Sequence, residues 1–417
     1  MKARNIIILL SKNKFRILLI CLLICLLICI GYSIFFFSGL QTTTETDSIE
    51  RVKSLPYVNW TSINEKDVNK SGITRYNRTL SYKGINIYLS GKGVHNAHFL
   101  DMSGNILHTF LDRREKKSKW KLIKPCQNNN FLVLIEDNAL FMIDWDSNIK
   151  WIKKIRFHHD MAVADNGDIY SLINKKINSP QFSSEEPILD NCLVILTKDG
   201  EIKKEVSFVK MILENKELFK AAKTQKEKRY CYGKDAWDIF HTNSVDIINR
   251  DIFKGTKKLF NKGNVLFCIR HLSIIGVIDV KKERIIWSWD LDELDYPHNA
   301  SLLGNGNILI FDNGTHRKYS RVIELNPITE EIEWEYKANP PELFFSQTRG
   351  SAQRFPNGNT LITESDNGRV FEVTRGGEVV WEFYNPEINE YKKERATIYR
   401  MMRITDLANY PKLKRLK

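Results

Sequence analysis

Along most of the chain a short apolar run meets an Asp or other polar residue, turns, and resumes in an apolar pair ending in Trp or another large side chain. The six copies are Leu100–His108, Ile143–Trp151, Thr197–Ile202, Ile278–Trp287, Leu325–Trp334 and Val373–Trp381. Before several of them stands a second turn, Asn-Gly-Asn or a relative, feeding a run of β-formers. Asn128–Asn130 leads into Phe131–Ile135, Asn166–Asp168 into Ile169–Leu172, and Gly263-Asn264 into Val265–Ile269. Asn305–Asn307 leads into Ile308–Phe311, and Asn357–Asn359 into Thr360–Thr363. Asn and Gly accept positive φ at little cost, so such turns between apolar runs predict hairpins. Each unit therefore reads as a four-stranded antiparallel sheet. A β-sandwich uses similar hairpins. The same two turns recurring in the same order, at spacings of roughly 43 to 53 residues with one long gap, favour propeller blades. The expected fold is all-β, a six-bladed β-propeller over residues 83–404.

Three stretches depart from that rhythm. Within about 205–228, Val209, Ile212, Leu213 and Leu218 are spaced for an amphipathic helix, which predicts a helical insertion. Ile398–Ile404 reads as a last strand that closes the ring against the first blade and removes a sheet edge. A basic tail, 405–417, follows it.

The first 40 residues are of another kind. Ile17–Phe37 is 21 residues without a charge, enough to cross about 30 Å of hydrocarbon. Lys2, Arg4, Lys12, Lys14 and Arg16 precede it with no acid among them, which predicts a cytoplasmic N-terminus (1–16) and a transmembrane helix (17–37). A cleaved signal peptide has a shorter apolar core and a small-residue cleavage site. This core is long and ends in Phe35-Phe36-Phe37, which favours an uncleaved anchor. Either way the body is expected outside the cytoplasm, joined to the membrane through its N-terminal helix. Residues 38–82 read as a polar stalk, with glycosylation sequons at Asn59, Asn69 and Asn77. In an oxidising space the body cysteines Cys126, Cys192, Cys231 and Cys268 permit up to two disulfides. No CxxC zinc pattern occurs, and no metal or cofactor is expected. The net charge of +13 suits an anionic substrate. No basic stripe is interleaved with aromatics, so no nucleic-acid partner is expected.

The chemistry-bearing residues gather at the starts of the units. His158-His159-Asp160 precedes the Asn166 turn, His241-Thr242-Asn243 follows Asp238, His271 follows Arg270, and His298-Asn299 precedes the Asn305 turn. In a propeller, equivalent positions on different blades face one central funnel, so His159, His241 and His298 are expected to converge. For His158 and His108 a packed role within the blade competes with a site role. Beyond the Asp312-Asn313-Gly314 turn lie Arg317 and Arg321, and the last unit carries Arg349 and Arg354. Forked guanidinium donors near imidazoles suit a tetrahedral oxyanion.

At these residues the chain resembles the arylsulfotransferase (aryl-sulfate sulfotransferase) family. The motifs are Asp238–Val245, Arg270-His271, His298-Asn299-Ala300, Ile310–Gly314 with Arg317, Tyr319-Ser320-Arg321, Asn357–Ser365 and Gly368–Val373. The similarity spans about residues 86–404. It implies a six-bladed propeller outside the cytoplasm that moves a sulfuryl group from a small phenolic sulfate ester to a phenol acceptor. No PAPS-type nucleotide donor takes part. By position, His241 and His298 match histidines lining the family's active site, and Arg317 matches its arginine on the sulfate oxygens. These are the expected catalytic residues, and His159, Asn243, His271, Arg321 and Arg349 the expected substrate ligands. The resemblance also implies a histidine in the final blade that carries the sulfuryl group. This chain has no histidine after His316, and Arg349, Arg354 and Arg369 stand in that blade. Another histidine as nucleophile, direct transfer, and binding without turnover all stay open. The competing functions are a membrane-anchored binding or scaffold propeller and a quinone-cofactor dehydrogenase. The latter needs a carboxylate calcium site that the sequence does not offer.

Overall fold

The repeated turns close hairpins, and in most of them the side chain at the start does the closing. Asp101 Oδ1 accepts from the backbone N–H of Ser103 and Asn105 at 2.8 and 2.9 Å, and Asp144 Oδ1 repeats this with Asp146 and Asn148. In the Asn-Gly turns, Asn305 Oδ1 accepts from the N–H of Asn307 and Asn357 Oδ1 from that of Asn359. Gly306 and Gly358 between them sit at φ +86° and +87°, where a side chain is strained.

The computed structural model describes residues 60–90, 95–114, 119–224, 229–230, 236–254, 257–289, 293–408 and 410–415. The expected segments 1–16 and 17–37, the start of the stalk, and Cys231 lie outside the described residues. Among the described residues no helix is long and apolar enough to cross a membrane.

Six sheets, each built on four antiparallel strands, follow one another among the described residues, beside two smaller ones. Sheet I runs Ile398–Ile404, Ile85–Ser90, Asn96–Leu100, Ile106–Leu111. Sheet II is Leu122–Pro125, Phe131–Ile135, Ala139–Ile143, Ile149–Lys153. Sheet III is Phe157–Val163, Ile169–Ile177, Ile188–Leu196, Ile202–Ser207, with Trp237–Asp238 joining one end. Sheet IV is Thr242–Ile247, Val265–Ile269, Ile274–Asp279, Arg284–Trp289. Sheet V is His298–Leu302, Ile308–Asp312, Arg321–Leu325, Ile332–Tyr336. Sheet VI is Ser351–Arg354, Thr360–Glu364, Arg369–Val373, Val379–Tyr384 and, outermost, Gly72–Tyr76.

Both faces of the inner strands are apolar because each sheet packs against two neighbours. The cores join I to II (Phe99, Phe131), II to III (Leu132, Met161), III to IV (Leu193, Phe267), IV to V (Leu266, Ile310) and V to VI (Phe311, Phe371). A further core joins VI back to I through Trp381, Phe383, Tyr88 and Met401. The fold is all-β and propeller-type. The expected closing strand is in place: Ile398–Ile404 pairs with Ile85–Ser90.

Four expectations need correction. The insertion is two short helices, Phe208–Glu214 and Lys216–Thr224, and residues 205–207 still belong to sheet III. Val209, Ile212 and Leu218 are buried in the III–IV core, as their spacing foretold. The stalk does not reach residue 82. Trp60–Ser62 pairs with Glu394–Ala396, and Gly72–Tyr76 covers the outer edge of sheet VI, an edge that would otherwise offer unpaired backbone groups. Nor is 405–417 a free tail, because Leu413 is fully buried in the I–II core beside Leu407 and Tyr410. Cys126, Cys192 and Cys268 are free and buried, forming no disulfide among the described residues. Burial pushes the Cys126 thiol up to about 12.

Candidate active site

The first strands of consecutive sheets abut one another around a common centre. Three of them are distorted alike. Sheet III slips register between His158 and Met161, sheet IV between Thr242 and Ser244, and sheet V between His298 and Ser301. His159, His241 and Asn299 sit at φ +57°, +52° and +48°. A bulge re-aims the side chain beside it, and left-handed backbone outside glycine costs on the order of 1–3 kcal/mol. Here the distortion gathers imidazoles. The rings of His159 and His241 meet edge to face at 4.6 Å, and those of His241 and His271 stack at 4.8 Å. His158 Nδ1 lies 2.8 Å from His159 Nδ1.

The hydrogen bonds fix the tautomers. Asn313 Nδ2 donates to the carbonyls of Ser346 and Arg349 at 2.6 and 3.0 Å, so its Oδ1 is the atom facing His298 Nδ1 at 2.6 Å. That nitrogen therefore carries the proton, and Nε2 keeps its lone pair. His271 Nδ1 donates to the carbonyl of Asp238 at 2.8 Å, and His241 Nδ1 pairs with Asp238 Oδ2 at 2.5 Å. Burial holds His298 well below the usual histidine range, helped by the Arg270 charge. It does the same to His159, with His241, His158 and Lys121 adding repulsion, and lowers His158 to about 4. All three are neutral at pH 7.

Side chains that the sequence reading did not expect as site residues complete the centre. Lys121 Nζ lies 4.5 Å from the Tyr399 ring and 3.6 Å from Glu136, which lies 3.4 Å from His159 Nδ1. Tyr399 Oη donates to the carbonyl of His159 at 3.0 Å. Burial pushes the Lys121 ammonium down and the Glu136 carboxyl up. Arg270 is buried, with its guanidinium 4.3 Å over the Tyr296 ring. Lys121 precedes the first strand of sheet II as His241 precedes that of sheet IV. The surrounding Lys116, Lys117 and Lys119 conceal it in the sequence.

The expected ligands divide. His159, His241, His271 and His298 come together. Asn243 is buried, and its Nδ2 donates to the Pro297 carbonyl at 2.8 Å, tying sheet IV to sheet V. Arg349 is bound to Asp366 at 2.8 Å and reaches Thr397 at 3.4 Å. Arg317 is paired with buried Asp312 at 2.9 Å. Arg321 stands apart from them: Asp312, Glu293 and Glu335 hold its guanidinium at 2.8, 2.7 and 3.2 Å. A cavity of about 610 Å³ lies elsewhere, between Trp334 and Tyr336 of sheet V, Arg369 and Tyr384 of sheet VI, and Lys66 and Lys70, with no histidine in its wall.

Among solved structures, a protein of unknown function from Bacteroides caccae is similar at 14% identity and TM-score 0.51, over 78% of this chain and 100% of that one. A catalytically inactive virginiamycin B lyase from Staphylococcus aureus with quinupristin aligns at 12% identity and TM-score 0.42, covering 76% and 89%. The Myceliophteria thermophila Cps50 (Swd1) β-propeller domain aligns at 11% and 0.42, covering 79% and 90%. No curated protein matches the sequence. The family model for arylsulfotransferase (ASST) matches residues 136–386, a stretch holding all five central histidines together with Arg270, Asn313 and Arg317. The chain belongs to the arylsulfotransferase family.

Proposed function

We propose that this protein moves a sulfuryl group between small phenols at the histidine centre, on a six-bladed propeller held outside the cytoplasm by segment 17–37. The unbroken run of inter-sheet cores, the last joining VI to I, supports six blades. The basic residues before an uncharged 17–37 support the placement. The observation that carries the chemistry is His298, a buried neutral imidazole whose Nδ1–H is held by Asn313 at 2.6 Å. A neutral Nε2 lone pair is a nucleophile. His241, with the Asp238 carboxylate 2.5 Å away, is the acid and base.

In the first half-reaction His298 Nε2 attacks the sulfur of the aryl sulfate. The S–N bond forms, the bond from sulfur to the phenolic oxygen breaks, and the His241 imidazolium passes its proton to the departing phenolate. In the second, the acceptor phenol gives its proton to His241 and its oxygen takes the sulfuryl group. The S–N bond then breaks and His298 is neutral again. No nucleotide takes part. Charge spreads over the three sulfuryl oxygens in transit, and Arg270 and Arg317 are the donors for it. His159, His271, Asn243 and Arg349 line the bound phenols.

One observation favours a second reading. No histidine follows His316, and just before the last sheet stands Arg349, paired with Asp366. On that reading the protein is a membrane-anchored scaffold that binds aryl sulfates without turnover. The test is sulfuryl transfer from 4-nitrophenyl sulfate to phenol by the full chain, beside His241→Ala and His298→Ala. The expected result is phenol-dependent nitrophenol release lost in both variants, with a sulfuryl adduct trapped on the His298 peptide. A folded chain that releases nothing with any of several phenols supports the scaffold instead.

A further inference from the structure

Every central imidazole but two has an oxygen acceptor on Nδ1. His241, His271 and His298 point that nitrogen at Asp238 Oδ2, the Asp238 carbonyl and Asn313 Oδ1. His158 and His159 instead point Nδ1 at each other, 2.8 Å apart. Neighbours in a strand ordinarily face opposite ways. The bulge after His158 and the left-handed backbone of His159 turn both rings to one point. Glu136 comes to the same point from sheet II, its Oε1 3.4 Å from His159 Nδ1. One ligand atom from each of the three lies within 4.8 Å of the others.

Packing alone does not account for this arrangement. His158 is 1% exposed, so its Nδ1 and that of His159 are held against each other away from water, and the left-handed backbone of His159 is strained to keep them there. The spacing has a ready chemical meaning. Two ligands bound to one ion at about 2.0–2.2 Å stand about 2.8–3.6 Å apart, from octahedral to tetrahedral angles, and 2.8 and 3.4 Å fall within that span. Two histidines and a carboxylate with open positions are the donor set of zinc and ferrous sites.

We propose that Glu136, His158 and His159 form a binding site for a divalent transition-metal ion, with its open positions toward His241. On binding, the ion takes the place of the proton shared by the two Nδ1 atoms, and that proton moves to Nε2 of the ring that gives it up. The inference is independent of sulfuryl transfer and is read without it. A similar group, Asp238, His241 and His271, stands beside the first. There the carboxylate already satisfies its histidine, so it serves as the internal control.

The test uses the full chain in mild detergent, stripped by a chelator and titrated with Co²⁺. Stoichiometric uptake with a visible d–d absorption, displaced by Zn²⁺, is the expected result. Glu136→Gln and His158→Asn abolish that spectrum, and Asp238→Asn keeps it. No uptake by the folded wild-type chain overturns the proposal. So does uptake that survives Glu136→Gln or disappears only in Asp238→Asn. Should His158→Asn not fold, Glu136→Gln alone decides, since its amide keeps the side chain's size.

Discussion

The seam between sheets VI and I and the centre of sheets III to V both bury polar side chains, and they do so in opposite ways. At the seam Arg403 is fully buried, its Nε donating to Asn86 Oδ1 and its Nη1 to Glu372 and the Tyr82 carbonyl, while its guanidinium lies 4.8 Å from the Trp381 ring. Glu372 is met in turn by Asn359 and the Tyr82 N–H. Among the described residues of the seam no backbone is left-handed outside glycine. The centre gathers imidazoles that repel one another's protons, on bulged strands with positive φ at His159 and His241. Mutually satisfied charges hold a fold together. Groups kept neutral and close, at a cost in strain, mark where chemistry happens.

The largest expected effect comes from breaking the seam. Arg403→Ala leaves the Glu372 charge buried and unpaired, and urea unfolding should show a loss of about 3–5 kcal/mol. A fall below 1 kcal/mol would mean that the pair does not clamp the ring. Next is acid sensitivity of the centre. His158 titrates near 4 in the folded chain against about 6.5 unfolded, so the unfolded state takes up the proton first as pH falls. Stability should be level above pH 7 and decline between about 6.5 and 4, by on the order of 3 kcal/mol from this group. The His158→Asn variant should flatten that part of the melting-temperature profile, while Arg403→Ala should leave its shape intact.

A smaller change sharpens the line between holding and reacting. Asn313→Ala removes the acceptor that fixes the His298 tautomer. It should cost about 1–3 kcal/mol and lower kcat for sulfuryl transfer well beyond what the lost stability explains, because Nδ1 and Nε2 can then exchange roles. An unchanged kcat would remove His298 from the nucleophile's place. The smallest effect is expected at Arg321, which lies near the centre in sequence and belongs to the structural class in space. Arg321→Gln should cost only about 1 kcal/mol, because Arg317 still pairs with buried Asp312 and its other partners, Glu293 and Glu335, are partly exposed, and it should leave transfer kinetics as they were.

The contrast also marks what the amino-acid order makes legible. The Asp101 and Asn305 turns read directly, because hairpin chemistry lies within a few residues of one another. Repetition then implied blades, and blades implied that His159, His241 and His298 would meet. Trp60 and Gly72 looked like stalk because their partners, Ala396 and Tyr384, are more than 300 residues away. Leu413 looked like tail because an isolated apolar residue among lysines does not reveal the core waiting for it.

By itself, then, the sequence determined the repeated sheet, its two turns, the closing strand and the histidines that start successive blades, all set by backbone preferences and apolar alternation over short spans. Only the tertiary structure decided that Lys121, Glu136, Arg270 and Tyr399 join those histidines, that Arg321 is spent elsewhere, and that His158 turns toward His159. Those outcomes depend on distances between sheets and on burial, which shifts a titrating group according to everything around it rather than its neighbours in the chain.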